Sequence, residues 1–121
     1  MTTTLTNYQQ AARTLLDQAF EDLAAGDLPQ ASKKGWEAAN HMLKAVAQQR
    51  GWEYQNTAAY YRVAMKIVAE TGEDQIRSWS AVASGLHQNF YENLASHLVI
   101  KGGLKNVRKL IDRLEQLLET E

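Results

Sequence analysis

The chain has 121 residues, 45% of them hydrophobic and 22% charged, a size and mix that suit one domain over residues 1–121 with a single sizeable core. Thirteen basic residues stand against fourteen acidic ones, for a formal net charge of −1, so there is no global positive field to hold a polyanion by counterion release. The absence of cysteine excludes disulfides, thiolate nucleophiles and cysteine-ligated zinc. No run approaches the ~20 apolar residues that span a bilayer, and MTTTLTNYQQ lacks the pattern of a signal peptide, so a cytoplasmic protein with no membrane partner is expected.

From Leu5 to Ala25 the residues Tyr8, Ala12, Leu15, Leu16, Ala19, Phe20 and Leu23 recur at helical spacing, and Gly26 stops them. The next helix is the best delimited. Asp27 is placed to cap it, Gln30 stands three residues on as in a capping box, Pro29 suits a first turn, and Gly51 follows Arg50 as a C′ residue would. With Gly26 and Asp27 as the whole connection, the two helices form an antiparallel hairpin. The apolar face of the second is Ala31, Gly35, Ala38, Ala39, Met42, Leu43 and Val46. Glycine in a helix interior costs roughly 1 kcal/mol against alanine, so Gly35 marks a close approach, of a neighbouring helix before a ligand. Lys33, Glu37 and His41 follow at i, i+4 on the other side and predict a solvated, salt-bridged stripe.

After a loop from Trp52 to Asn56, a third helix capped by Asn56 or Thr57 runs to Thr71, with Tyr60, Ala64, Ile67, Val68 and Thr71 inward and Gly72 as its stop. Asp74 then caps a fourth. Its seam is Ile76, Trp79, Ala83, Leu86, Phe90 and Leu94, bordered by a polar strip of Ser80, Ser84, His87 and Tyr91. The segment 95–103, ASHLVIKGG, is expected to be a loop because of Gly102 and Gly103. From Leu104 a fifth helix follows, with Val107, Leu110, Ile111, Leu114, Leu117 and Leu118 as a stripe expected to be partly exposed. Lys101, Lys105, Arg108 and Lys109 crowd its start and Glu115, Glu119 and Glu121 its end, against the helix dipole. With no alternating pattern anywhere, the fold class is all-α: an up-and-down bundle of four main helices plus a C-terminal fifth.

The phrase Gly26-Asp27-x-x-Gln30-Ala31-Ser32-x-Lys34-x-Trp36-x-Ala38-Ala39-x-His41-x-x-Lys44-Ala45, with Arg50-Gly51-Trp52 and Leu86-His87-Gln88-Asn89-Phe90-Tyr91-Glu92, resembles the HEPN superfamily (higher eukaryote and prokaryote nucleotide-binding). It is most similar to the small single-domain branch that includes the archaeal PaREP proteins. The resemblance implies a helical bundle that forms a homodimer and binds a nucleotide or a nucleotidyltransferase-like partner in a toxin–antitoxin or stress module. Carried onto this chain, it makes Lys34, Trp36, His41, Lys44, Asn89 and Tyr91 candidate ligand residues, joined by Arg77, Ser84 and His87.

HEPN ribonucleases resemble one another in an arginine four to six residues before a histidine, and that pair is missing. Ala81, Val82 and Ala83 stand at those places before His87, Gly35, Trp36 and Glu37 before His41, and Tyr91, Glu92 and Asn93 before His97. Arg77 precedes His87 by ten positions, about 15 Å along a helix. The expectation is therefore a non-catalytic binder without cofactor or metal. Two alternatives stay open: a ribonuclease that joins Arg77 and His87 across a dimer, and a helical scaffold without a small ligand. Trp36 and Trp52 are further candidates for a partner surface, as aromatic residues often are.

Overall fold

The computed structural model describes residues 3–119, and the side chains of 7–119. Five helices follow one another: α1 (Thr3–Ala24), α2 (Leu28–Arg50), α3 (Ala58–Thr71), α4 (Gln75–Glu92) and α5 (His97–Glu119), with no strand among the described residues. Both ends of α2 form as their residues dictate. The Asp27 carboxylate accepts from the Gln30 amide at 3.3 Å, and Gly51 turns left-handed at φ 74°, its N–H returning to α2 carbonyls. Gly26 has φ 83°, which closes the tight turn between α1 and α2, and Lys34 pairs with Asp22 across it at 2.8 Å.

The second helix is the axis of the bundle: among the described residues it alone packs against each of the other four. Its small residues let the others come near. A Cβ on Gly35 would lie 2.5 Å from a methyl of Leu104 and 3.0 Å from one of Leu86, so Gly35 is where α4 and α5 close on α2, and its role is packing. Around this crossing Ala31, Ala38, Ala39, Met42, Leu43 and Val46 are fully buried.

The structure corrects several expectations. Segment 95–103 is not a loop: α5 begins at His97, because the Ser96 hydroxyl caps it by accepting from the Val99 amide at 3.2 Å. Gly102 and Gly103 lie inside that helix, where Gly103 allows Leu86 to approach; a Cβ there would meet Leu86 Cδ2 at 3.1 Å. Lys101 to Lys109 thereby fall beyond the first turn of α5, where the dipole acts weakly. The α5 stripe expected to be partly exposed is buried from Leu104 to Leu118, because α5 packs against α1, α2 and α4 together. Leu94, expected in the α4 seam, is 82% exposed, since α4 ends at Glu92 and Asn93 turns left-handed at φ 51°. Lys33, Glu37 and His41 are half-buried and form no ion pair with one another: the His41 Nδ1 bonds to the Glu37 carbonyl at 2.8 Å, and Lys33 stands over Phe90.

Ion pairs tie distant elements at the surface. Arg13 of α1 reaches Asp112 and Glu115 of α5, Arg50 holds Glu70, and Arg113 holds Glu73 in the α3–α4 turn. These guanidinium groups keep the Glu70 and Glu73 carboxyls below their ordinary range. No described helix is long and apolar enough to cross a membrane.

Candidate functional site

The candidate residues separate into two aromatic clusters on opposite halves of α2. In the first, Trp36 projects between α3 and α4. It is 6% exposed, which corrects the expectation that it belongs to a partner surface. The His87 ring stacks on its indole, 4.5 Å between centroids and 5° from parallel, and Tyr60 tilts against it at 4.5 Å. The Tyr60 hydroxyl donates to the Ser80 carbonyl at 2.8 Å, and burial pushes its phenol pKa up.

The polar strip read on α4 divides between inside and outside. Ser80 is fully buried, Ser84 and His87 are half-buried, and Tyr91 is 74% exposed with its ring 5.6 Å from that of His87. Asn89 is buried and structural. Its amide nitrogen donates to the Ser32 hydroxyl at 2.9 Å while its oxygen accepts from the Leu94 and Ala95 amides, which fixes the turn from α4 into α5. Arg77, at the start of α4, is engaged by Asp74 at 2.6 Å, and Lys34 by Asp22. Asn89, Arg77 and Lys34 thus each have a local partner.

The second cluster lies at the C-terminal half of α2, where α1 and the loop after Gly51 meet it. Tyr8, Lys44, Gln48, Trp52 and Tyr54 line a cleft of about 190 Å³. The Lys44 ammonium lies 6.0 Å from the centre of the Tyr8 ring and 5.8 Å from that of Tyr54, and among the described residues no carboxylate pairs with it. His41, one turn earlier, meets Tyr8 edge-on at 6.0 Å. Tyr54 is anchored by its hydroxyl to Asn40, and burial raises its pKa, so it stays a neutral wall. Trp52 carries two further cations against its ring, Lys66 at 5.1 Å and Arg50 at 6.0 Å.

Of the residues singled out in sequence, this cleft brings together Lys44, with His41 behind it, and adds Tyr8, Gln48 and Tyr54, which no motif marked. Trp52 enters as a wall of the cleft. Spacing on α2 alone relates His41, Lys44 and Gln48 at three and four residues; the aromatic walls come from two other segments and meet them only in the fold. A larger, open groove between α1 and α5, about 580 Å³ and lined by Gln9, Gln10, Arg13, Thr14 and Glu115, has its one cation neutralised by Asp112 and Glu115. Among the described residues, no group of three or more His, Asp or Glu gathers as a metal ion would require.

The model of the archaeal PaREP1/PaREP8 family matches residues 7–111, most of the chain and all of both clusters. No curated protein and no solved structure matches it.

Proposed function

The chain belongs to that archaeal family, and from this premise we propose that it is a non-catalytic, HEPN-like homodimeric bundle that binds a nucleotide, seated in the cleft of Tyr8, Lys44, Gln48, Trp52 and Tyr54. The supporting observation is Lys44, a half-buried cation between two tyrosine rings with no carboxylate partner among the described residues. Such a charge calls for an external anion, and the flat aromatic walls call for a flat ligand. A nucleobase stacks on Tyr8 or Trp52, Gln48 offers a donor and an acceptor to its edge, and Lys44 meets the phosphate. Lys66, also without a carboxylate partner among the described residues, adds to a potential that rejects a cationic ligand. The resemblance to HEPN proteins supplies the setting, a toxin–antitoxin or stress module with a nucleotidyltransferase-like partner.

The test is a thermal-shift titration against AMP, ATP and GTP, with the oligomeric mass measured by light scattering. A ligand at 100 times its dissociation constant stabilises by about 2.7 kcal/mol, which raises the midpoint by several degrees in a domain of this size. Lys44→Met should abolish the shift and Arg77→Ala should keep it. A flat panel, or a shift indifferent to Lys44→Met, removes the cleft as the seat; a monomeric mass removes the dimer.

A further inference from the structure

Four of the six large hydrophobic side chains exposed among the described residues gather at one corner, where α4 turns into α5: Tyr91 at 74%, Leu94 at 82%, Leu98 at 77% and Val99 at 62%. The corner is not a loose loop. Asn89 fixes the Leu94 and Ala95 amides, Asn93 takes the left-handed conformation that ends α4, and Ser96 caps α5. Aliphatic groups are thus held outward by buried and capping hydrogen bonds, where water solvates them poorly.

The flank of this corner is uniformly basic. From Asn93 to Ile111 there is no Asp or Glu, and Leu98, Lys101, Lys105, Arg108 and Lys109 fall within an arc of about 100° at 100° per residue, opposite the buried face of α5. None of these four cations has an ion-pair partner among the described residues, whereas Arg13, Lys34, Arg50, Arg77 and Arg113 all do. Arg108 lies along Phe20 at 4.3 Å, which holds its charge at the surface. Along the sequence, acidic residues return only at the edges of this stretch, with Glu92 bonded by Gln88 and Asp112 held by Arg13. The neighbouring α1 carries exposed Asp17 and Glu21 in the turns around Phe20.

We propose that this corner and the outer face of α5 dock on the surface of an anionic lipid bilayer, with Leu94, Leu98 and Val99 at the acyl boundary and the basic arc among the headgroup phosphates. Charge complementarity selects an anion, and protruding aliphatic groups select a deformable apolar phase. A nucleic acid would use the cations but leaves Leu94, Leu98 and Val99 without bases that they can stack on. A twofold contact with a second copy would bring like charges together. Docking of this kind is peripheral and needs no helix that crosses the bilayer.

The experiment is co-sedimentation of the full chain with vesicles of phosphatidylcholine alone and of phosphatidylcholine with 40% phosphatidylglycerol, at low and high salt. Binding is expected only to the anionic vesicles, and raised salt weakens it. Lys101→Glu with Lys105→Glu should lower the partition coefficient at least about 25-fold, at about fivefold per lysine lost. Leu94→Ser with Leu98→Ser should lower it about tenfold or more, while both variants keep the wild-type melting temperature because all four side chains are exposed. The proposal fails if the folded wild type ignores anionic vesicles, if the serine variant binds like wild type, or if short single-stranded RNA is bound and vesicles are not.

Discussion

Trp36 and Trp52 both sit in aromatic clusters beside α2 with a histidine or a cation close by, yet one cluster is closed and the other open. Around Trp36 the rings of His87 and Tyr60 both lie at 4.5 Å and the residue is buried. Around Trp52 the rings stand apart, a cleft of about 190 Å³ lies between them, and Lys44 in its lining has no carboxylate partner among the described residues. Aromatic content therefore does not distinguish packing from recognition. What distinguishes them is whether the rings are already packed against one another within the fold or leave a cleft between them.

The sharpest way to break this comparison is truncation of each indole. Trp36→Ala should cost about 3–5 kcal/mol, the range for a buried aromatic, and lower the midpoint of a far-UV melt by ten degrees or more. Trp52→Ala, at a half-buried site, should cost much less while removing the nucleotide response. Equal losses of stability would mean that Trp52 is also a core residue.

Asn89 sharpens the closed side. Asn89→Ala removes three hydrogen bonds at once and leaves the Leu94 and Ala95 amides without their acceptor, an expected loss of about 1–3 kcal/mol. Amide hydrogen exchange should then quicken at Leu94 and Ala95 and stay unchanged at Trp52. Unchanged exchange at the α4–α5 turn would show that Asn89 does not hold it.

The smallest effect concerns acid. The Glu73 carboxyl is held below its ordinary value of 4.5, chiefly by its hydrogen bond with Arg113 and further by that residue's charge. Its stabilisation is therefore present above pH 4.5 and is lost as the pH falls through the lowered folded value. Melting temperatures from pH 7 to 3 should fall less steeply for Glu73→Gln than for wild type below pH 4.5. The amplitude stays within about 1 kcal/mol because the pair is at the surface. Parallel curves would separate Glu73 from acid stability.

Much of the fold is legible because its signals are local. Asp27, Gly51 and Gly72 mark helix ends through cap geometry that a few residues encode, and each forms as read, with Gly72 at φ 72°. The start of α5 is obscured by the Gly102-Gly103 pair, which resembles a break; Ser96 is the signal that marks it, and Gly103 is explained by the approach of Leu86. Trp36 reads from the sequence as a candidate for a partner surface, because its burial depends on α3 and α4 folding over it. The cleft is less legible still. Lys44 emerges from a family-like phrase, whereas Tyr8, Gln48 and Tyr54 carry no motif and become neighbours only when α1 and the loop after Gly51 close on α2.

The account rests on Lys44 being a ligand-facing charge, and isothermal titration of AMP into wild type, Lys44→Met and His87→Ala tests it most directly. Saturable binding is expected for wild type and His87→Ala, with none for Lys44→Met although its melt matches wild type. Binding that survives Lys44→Met and vanishes in His87→Ala would contradict the account and move recognition to the closed cluster around Trp36.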